Sequence, residues 1–78
     1  MNFALIERST KGVKLSLYTD SLALMESESF DDLPTLNFHL QTLAKKHKLE
    51  KGLLIVHDRE RNSVDLSIAE DEDSFFIR

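Results

Sequence analysis

The chain has 78 residues, 41% of them hydrophobic and 31% charged, with a formal net charge of −4. That length allows one small domain at most, here residues 1–78, and that apolar fraction excludes disorder by composition. The absence of cysteine excludes disulfides and thiolate metal sites, and the acidic balance argues against DNA or RNA as a general partner.

The N-terminal MNFALIERSTKG has no basic leader or long apolar core, so it does not read as a secretion signal. No apolar run approaches the roughly 18 residues of a membrane span. The expectation is a cytoplasmic protein with no membrane partner.

In chain order, residues 3–8 (FALIER) and 13–19 (VKLSLYT) read as strands. Val13, Leu15 and Leu17 share one face of the second. STKG between them suits a hairpin loop in which Gly12 takes a positive φ. Residues 22–26 (LALME) lean towards a third strand, although Leu, Ala, Met and Glu all favour helix and leave the segment ambiguous.

Asp31 or Asp32 then offers an N-cap, and Pro34 falls in the first turn of a helix of about 16 residues. Leu33, Leu36, Leu40, Leu43, Ala44 and His47 recur at helical spacing as its apolar stripe. Lys45, Lys46 and Lys48 gather at its C-terminal end, where the helix dipole favours cations, and Gly52 closes the segment.

LLIVH (53–57) and VDLSIA (64–69) read as a hairpin across DRERNS. LLIV is apolar on both faces and suits a central strand. Val64, Leu66 and Ile68 alternate with polar residues and imply a half-buried strand. SFFI (74–77) reads as a short last strand.

The fold class is α+β: a small antiparallel sheet of four to five strands in the order β-β-(β)-α-β-β-(β), with one amphipathic helix on one face. The other face must be polar or covered by another chain. A homodimer is therefore expected.

Charge is unevenly spread. Residues 20–44 hold five acids and no Lys or Arg, residues 45–51 hold four lysines and one acid, and residues 63–78 hold five acids and one arginine. The run Glu70, Asp71, Glu72, Asp73 leads directly into Phe75 and Phe76. One reading is a solvated turn whose charges keep an apolar strand from pairing with strangers. The other is a partner surface, in which acids steer the encounter and Phe75 or Phe76 anchors it. Phe38 lies nearly opposite the leucine stripe, among Thr35, Thr42 and Lys45. It reads as an isolated exposed aromatic or as a contact for a partner or a second copy.

AKKHKLEK (44–51) has the cations for a phosphate contact, but the helix dipole accounts for them and no binding motif accompanies them. Arg59 and Arg61 are offset by Asp58 and Glu60 in a polar loop. His39 and His47 lie about 12 Å apart along a helix, too far to share a metal at about 2 Å per bond. No phosphate-cradling glycine loop, H-E-x-x-H or nucleophile elbow occurs. Neither catalysis, a metal nor a cofactor is expected.

In its small, acidic, α+β character the chain is similar to the compact proteins with which phages disable host defence nucleases, the anti-CRISPR and anti-restriction proteins. That likeness is compositional and assigns no residue. The stretch YTDSLALMESESFDDLPTLNFHL resembles the small β-rich antitoxins of the HicB type, without their glycine and proline punctuation.

The leading expectation is a non-catalytic protein-binding inhibitor or regulator that occludes a basic surface of another protein and, where that surface normally holds nucleic acid, competes with it as a partial phosphate mimic. Its contact residues would be Glu70, Asp71, Glu72, Asp73, Phe75, Phe76, Phe38, Asp31 and Asp32. The alternative is a homodimeric nucleic-acid-binding regulator or antitoxin using Lys45, Lys46, Lys48 and Lys51.

Overall fold

The computed structural model describes residues 1–78. Five strands, β1 (Asn2–Ser9), β2 (Gly12–Tyr18), β3 (Leu24–Phe30), β4 (Gly52–Asp58) and β5 (Ser63–Ala69), form one sheet, and α1 (Leu33–Lys46) crosses one face of it. The class is the α+β arrangement read from the sequence. The spatial order is β3-β2-β1-β4-β5, and the β1–β4 pair is parallel, so the sheet is mixed rather than wholly antiparallel. The reason is the crossover: α1 carries the chain from β3, at one edge, over β2 and β1, to lay β4 beside β1. No helix is long and apolar enough to cross a membrane.

The first hairpin closes over Thr10 and Lys11, with Ser9 opposite Gly12. Gly12 has φ +132, and a Cβ there would come within 2.6 Å of the Phe30 carbonyl oxygen, so only glycine fits. The third strand starts two residues later than LALME suggested and continues through Glu26, Ser27, Glu28 and Ser29 to Phe30. Pairing with β2 holds this polar segment extended.

Asp32 caps α1 by accepting from the Thr35 N–H at 2.9 Å, and proline occupies the first turn. The helix ends earlier than Gly52. Lys48 takes φ +52, its N–H donates to the Lys45 carbonyl, and the Leu49 N–H donates to the Ala44 carbonyl at 2.9 Å. That is a left-handed cap with Leu49 buried as its apolar contact. His47, placed in the apolar stripe by its spacing, is instead the exposed C-cap. Gly52 opens β4, and its missing side chain makes room for the Phe75 ring, whose Cζ would lie 2.5 Å from a Cβ there.

The core lies between sheet and helix. Ala4, Ile6, Leu15, Leu17 and Leu54 meet Leu36, Leu40, Leu43 and Ala44. Phe75 and Ile77 complete it from the C-terminal segment. That segment is not the strand expected of SFFI. A 3-10 turn, Glu72–Ser74, leads into an irregular tail hydrogen-bonded to the helix. The Asn37 amide donates to the Ile77 carbonyl, and the Ile77 N–H donates to the Asn37 side-chain oxygen, both at 2.7 Å and both buried. One side chain thus satisfies the pair of backbone groups that a neighbouring strand would otherwise satisfy.

The second face of the sheet carries no helix. Strand parity places Phe3, Leu53 and Ile68 in one row across it, and Leu5, Ile55 and Leu66 in the next. The expected half-burial of β5 does not occur. Val64 is 60% exposed, Leu66 65% and Ile68 47%, because this apolar set points to the uncovered face. Asp65 and Ser67 point to the helix side instead, opposite Val56 and Leu54.

Candidate functional site

The residues singled out by their charge and aromatic character fall at the N-terminal half of α1 and along the tail that packs against it. Their roles divide. Asp71 is bound locally: its carboxylate accepts from the Ser74 N–H at 3.0 Å and the Ser74 hydroxyl at 2.9 Å, capping the 3-10 turn. Asp32 is bound in the same way at the start of α1. The Thr35 hydroxyl and, next, the Thr35 backbone N–H favour its ionised form and hold its pKa below the ordinary 3.8. Asp73 lies 3.8 Å from the Lys45 ammonium, but both side chains stand well into solvent, where such a pair contributes little. Glu70, Glu72 and Asp31 form no ion pair, and apart from Asp73 no acid of these two zones is neutralised by the chain's own lysines or arginines.

The aromatics divide as well. Phe75 is wholly buried, so its expected role as a partner anchor is corrected: the ring sits over Gly52 and fills the core. An apolar ring of this size goes to the site with the most area to bury, which the side-chain-free Gly52 provides. Its neighbour Phe76 points the other way and is 47% exposed, and Phe38 is 77% exposed on the solvent side of α1. The structure brings these two together. Phe38 and Phe76 line one shallow groove of about 440 Å³ with Leu33, Pro34, Gln41 and Ile77. Asp31 and Asp32 adjoin its Leu33 end in the chain.

The tail is a ridge between that groove and a second, wider one. Gln41, Phe76 and Ile77 belong to both. The wider groove, about 700 Å³, runs between the tail and β4–β5, with Arg8, Arg78, Asp65 and Asp73 in its walls. Mixed charges of this kind suit no single ion.

At the far edge, β3 and α1 place the His39 Nε2 3.1 Å from the Glu28 carboxylate, and the Phe30 and His39 rings 5.2 Å apart. The approach is close enough for an ion pair but out of line for a hydrogen bond, and Nε2 has no other partner. No three His, Asp or Glu side chains gather where they would hold a metal ion.

Two features escaped the sequence reading. Asn37 sits next to the leucine stripe, and a polar residue beside an apolar run is the only trace of its buried role. The exposure of Val64, Leu66 and Ile68 has no sequence trace, since alternation fixes which residues share a face and not what covers that face. No family model, curated protein or solved structure matches this chain.

Proposed function

We propose that the protein is a non-catalytic binding module that inhibits or regulates another protein by occluding a basic surface on it. The observation that carries this reading is the pairing of Phe38 and Phe76, far apart in sequence, as exposed walls of one groove. In the chain, the unpaired carboxylate of Asp31 stands just before the Leu33 end of that groove, and those of Glu70 and Glu72 precede Phe76 on the tail. Exposed aromatics beside a groove suit the anchor of an interface, and surrounding charge suits steering and register. Where the occluded surface normally holds nucleic acid, the acids would act as a partial phosphate mimic. Compact phage anti-defence proteins are the class this reading resembles.

The test uses the tagged chain as bait in a lysate of its host. Phe38→Ala with Phe76→Ala should abolish capture of the specific partner. Glu70→Ser, Glu72→Ser and Asp73→Ser together, with Asp71 kept for its cap, should weaken capture at least tenfold and flatten its salt dependence. Capture of the same proteins at the same strength and salt sensitivity by both variants would sink the proposal.

A second reading rests on Lys45, Lys46, Lys48 and Lys51, all exposed near the end of α1, of which only Lys45 forms an ion pair. On that reading the protein is a homodimeric nucleic-acid-binding regulator. A gel shift that weakens steeply with salt and is lost on changing these lysines to alanine would favour it over the first.

A further inference from the structure

We infer that the helix-free face of the sheet is the docking surface for a second copy of this chain, packed sheet on sheet. It is argued from other observations than the acid-and-aromatic reading, and the two surfaces meet only at the β5 edge, where Leu66 and Ile68 line the wider groove with Phe76.

The first argument is the direction in which β5 faces. In a strand with one dry and one wet side, the apolar set turns to the dry side. Here Val64, Leu66 and Ile68 turn away from the helix and are 60%, 65% and 47% exposed, while Asp65 and Ser67 take the helix side. Their neighbours on β4 and β1, Ile55 and Leu5, extend the same patch inwards. An apolar surface of this breadth, continuous across three strands, marks a contact site on a soluble globule.

The second argument is area. Five strands about 4.8 Å apart and about seven residues long, at about 3.3 Å each, give a whole face on the order of 550 Å² in flat projection, about three-fifths of it from the apolar strands β1, β4 and β5. Side-chain relief brings its accessible area towards the ~800 Å² per partner of a stable interface.

The third argument is charge, and it selects the occupant. The chain carries −4, yet this face holds a single strand carboxylate, Glu7, and a single lysine, Lys14, opposite each other on β1 and β2. They form no ion pair within the chain, so both are free to meet partners across an interface. The face thus carries no net formal charge and is apolar across β1, β4 and β5, with Ser16, Ser27, Ser29 and His57 among its other polar strand residues, while the other acids lie elsewhere. A strongly charged partner has nothing to answer here. A second copy brings a surface of equal size, equal apolar character and no net charge, and an isologous pairing closes on itself.

The test is sedimentation of the intact chain over a dilution series, with and without high salt. The expected species at tens of micromolar is twice the 9.0 kDa of the single chain, and salt should not dissociate it. Leu66→Lys should raise the dimer Kd at least ~100-fold, because it buries an unpaired ammonium in each half. Its circular dichroism should stay that of the parent, since Leu66 is exposed in the single chain. Isotope-filtered NOEs should connect Leu5 and Ile55 methyls of one copy to the other. Three results would overturn the inference: a species of 9.0 kDa throughout, a Leu66→Lys chain that still dimerises, or NOEs confined to β5, which would mean edge-to-edge pairing. Should Leu66→Lys fail to fold, the NOEs of the parent chain decide.

Discussion

Asn37 gives the tail the two hydrogen bonds that a sheet neighbour would give, and does so inside the core. Removing it orphans a buried N–H and a buried carbonyl at once. Asn37→Ala should therefore cost about 2–3 kcal/mol. It should also release the Ile77 amide to hydrogen exchange well before the rest of the molecule opens. An Ile77 amide as protected as in the parent would contradict this account. Lys48 shows the opposite situation, a side chain where none is wanted. Its φ of +52 is costly for any residue with a Cβ. Lys48→Gly should stabilise by about 1 kcal/mol in chemical denaturation, and a destabilised variant would mean that the cap is not the controlling feature. Asp32 carries the one acid-sensitive contact with a resolved cause. Its folded pKa lies below the ordinary 3.8, so the charge contributes stability above that value and loses it as the pH falls through the folded value. Asp32→Asn keeps an acceptor for the Thr35 N–H but cannot titrate. The parent should melt higher than Asp32→Asn at neutral pH by a few degrees, and that gap should close below about pH 4. A gap that does not depend on pH would remove the charge from the explanation.

Among the elements, those specified by local chemistry were legible and those specified by distant pairing were not. α1 was readable because Asp32, Pro34 and the leucine spacing each act within a turn or two. The hairpin of β1 and β2 was readable because Gly12 and the alternation of Val13, Leu15 and Leu17 are local as well. The parallel union of β1 with β4 was hidden, since two apolar strands carry no label for direction or neighbour. SFFI misled for a related reason. Its residues favour extended backbone, but Ser74 closes a 3-10 turn, the Phe76 N–H turns back to the Ser74 carbonyl, and Asn37 takes the Ile77 backbone groups that a strand neighbour would have. The candidate site was half legible. Phe38 stood out by its angle on the helix, whereas the contrasting fates of adjacent Phe75 and Phe76 depend on Gly52, which only tertiary contact brings near.

For the whole molecule, the Phe38–Phe76 groove lies on the helix side of the sheet and the open face on the other; they meet at the β5 edge, where Phe76 shares the wider groove with Leu66 and Ile68, and their different dependence on charge is what makes their behaviour separable. Pairing of the open faces would turn both helices outwards and display two copies of the Phe38–Phe76 groove. High salt should then weaken capture of a basic partner and leave the dimer intact, because only the first depends on charge. Both measurements can be made on one sample, and a dimer that dissociates in step with partner release would join the two surfaces into one.

The strand order also dictates a sequence of events during folding. The meander of β1, β2 and β3 can assemble from near neighbours, but Asn2 finds its mate Gly52 only after a loop of fifty residues has closed. Until then β1, the innermost strand of the finished sheet, is a bare edge with unsatisfied amides and carbonyls along one side. The central strand thus gains its second neighbour only through long-range pairing, and any stray chain that arrives sooner competes for the same hydrogen bonds.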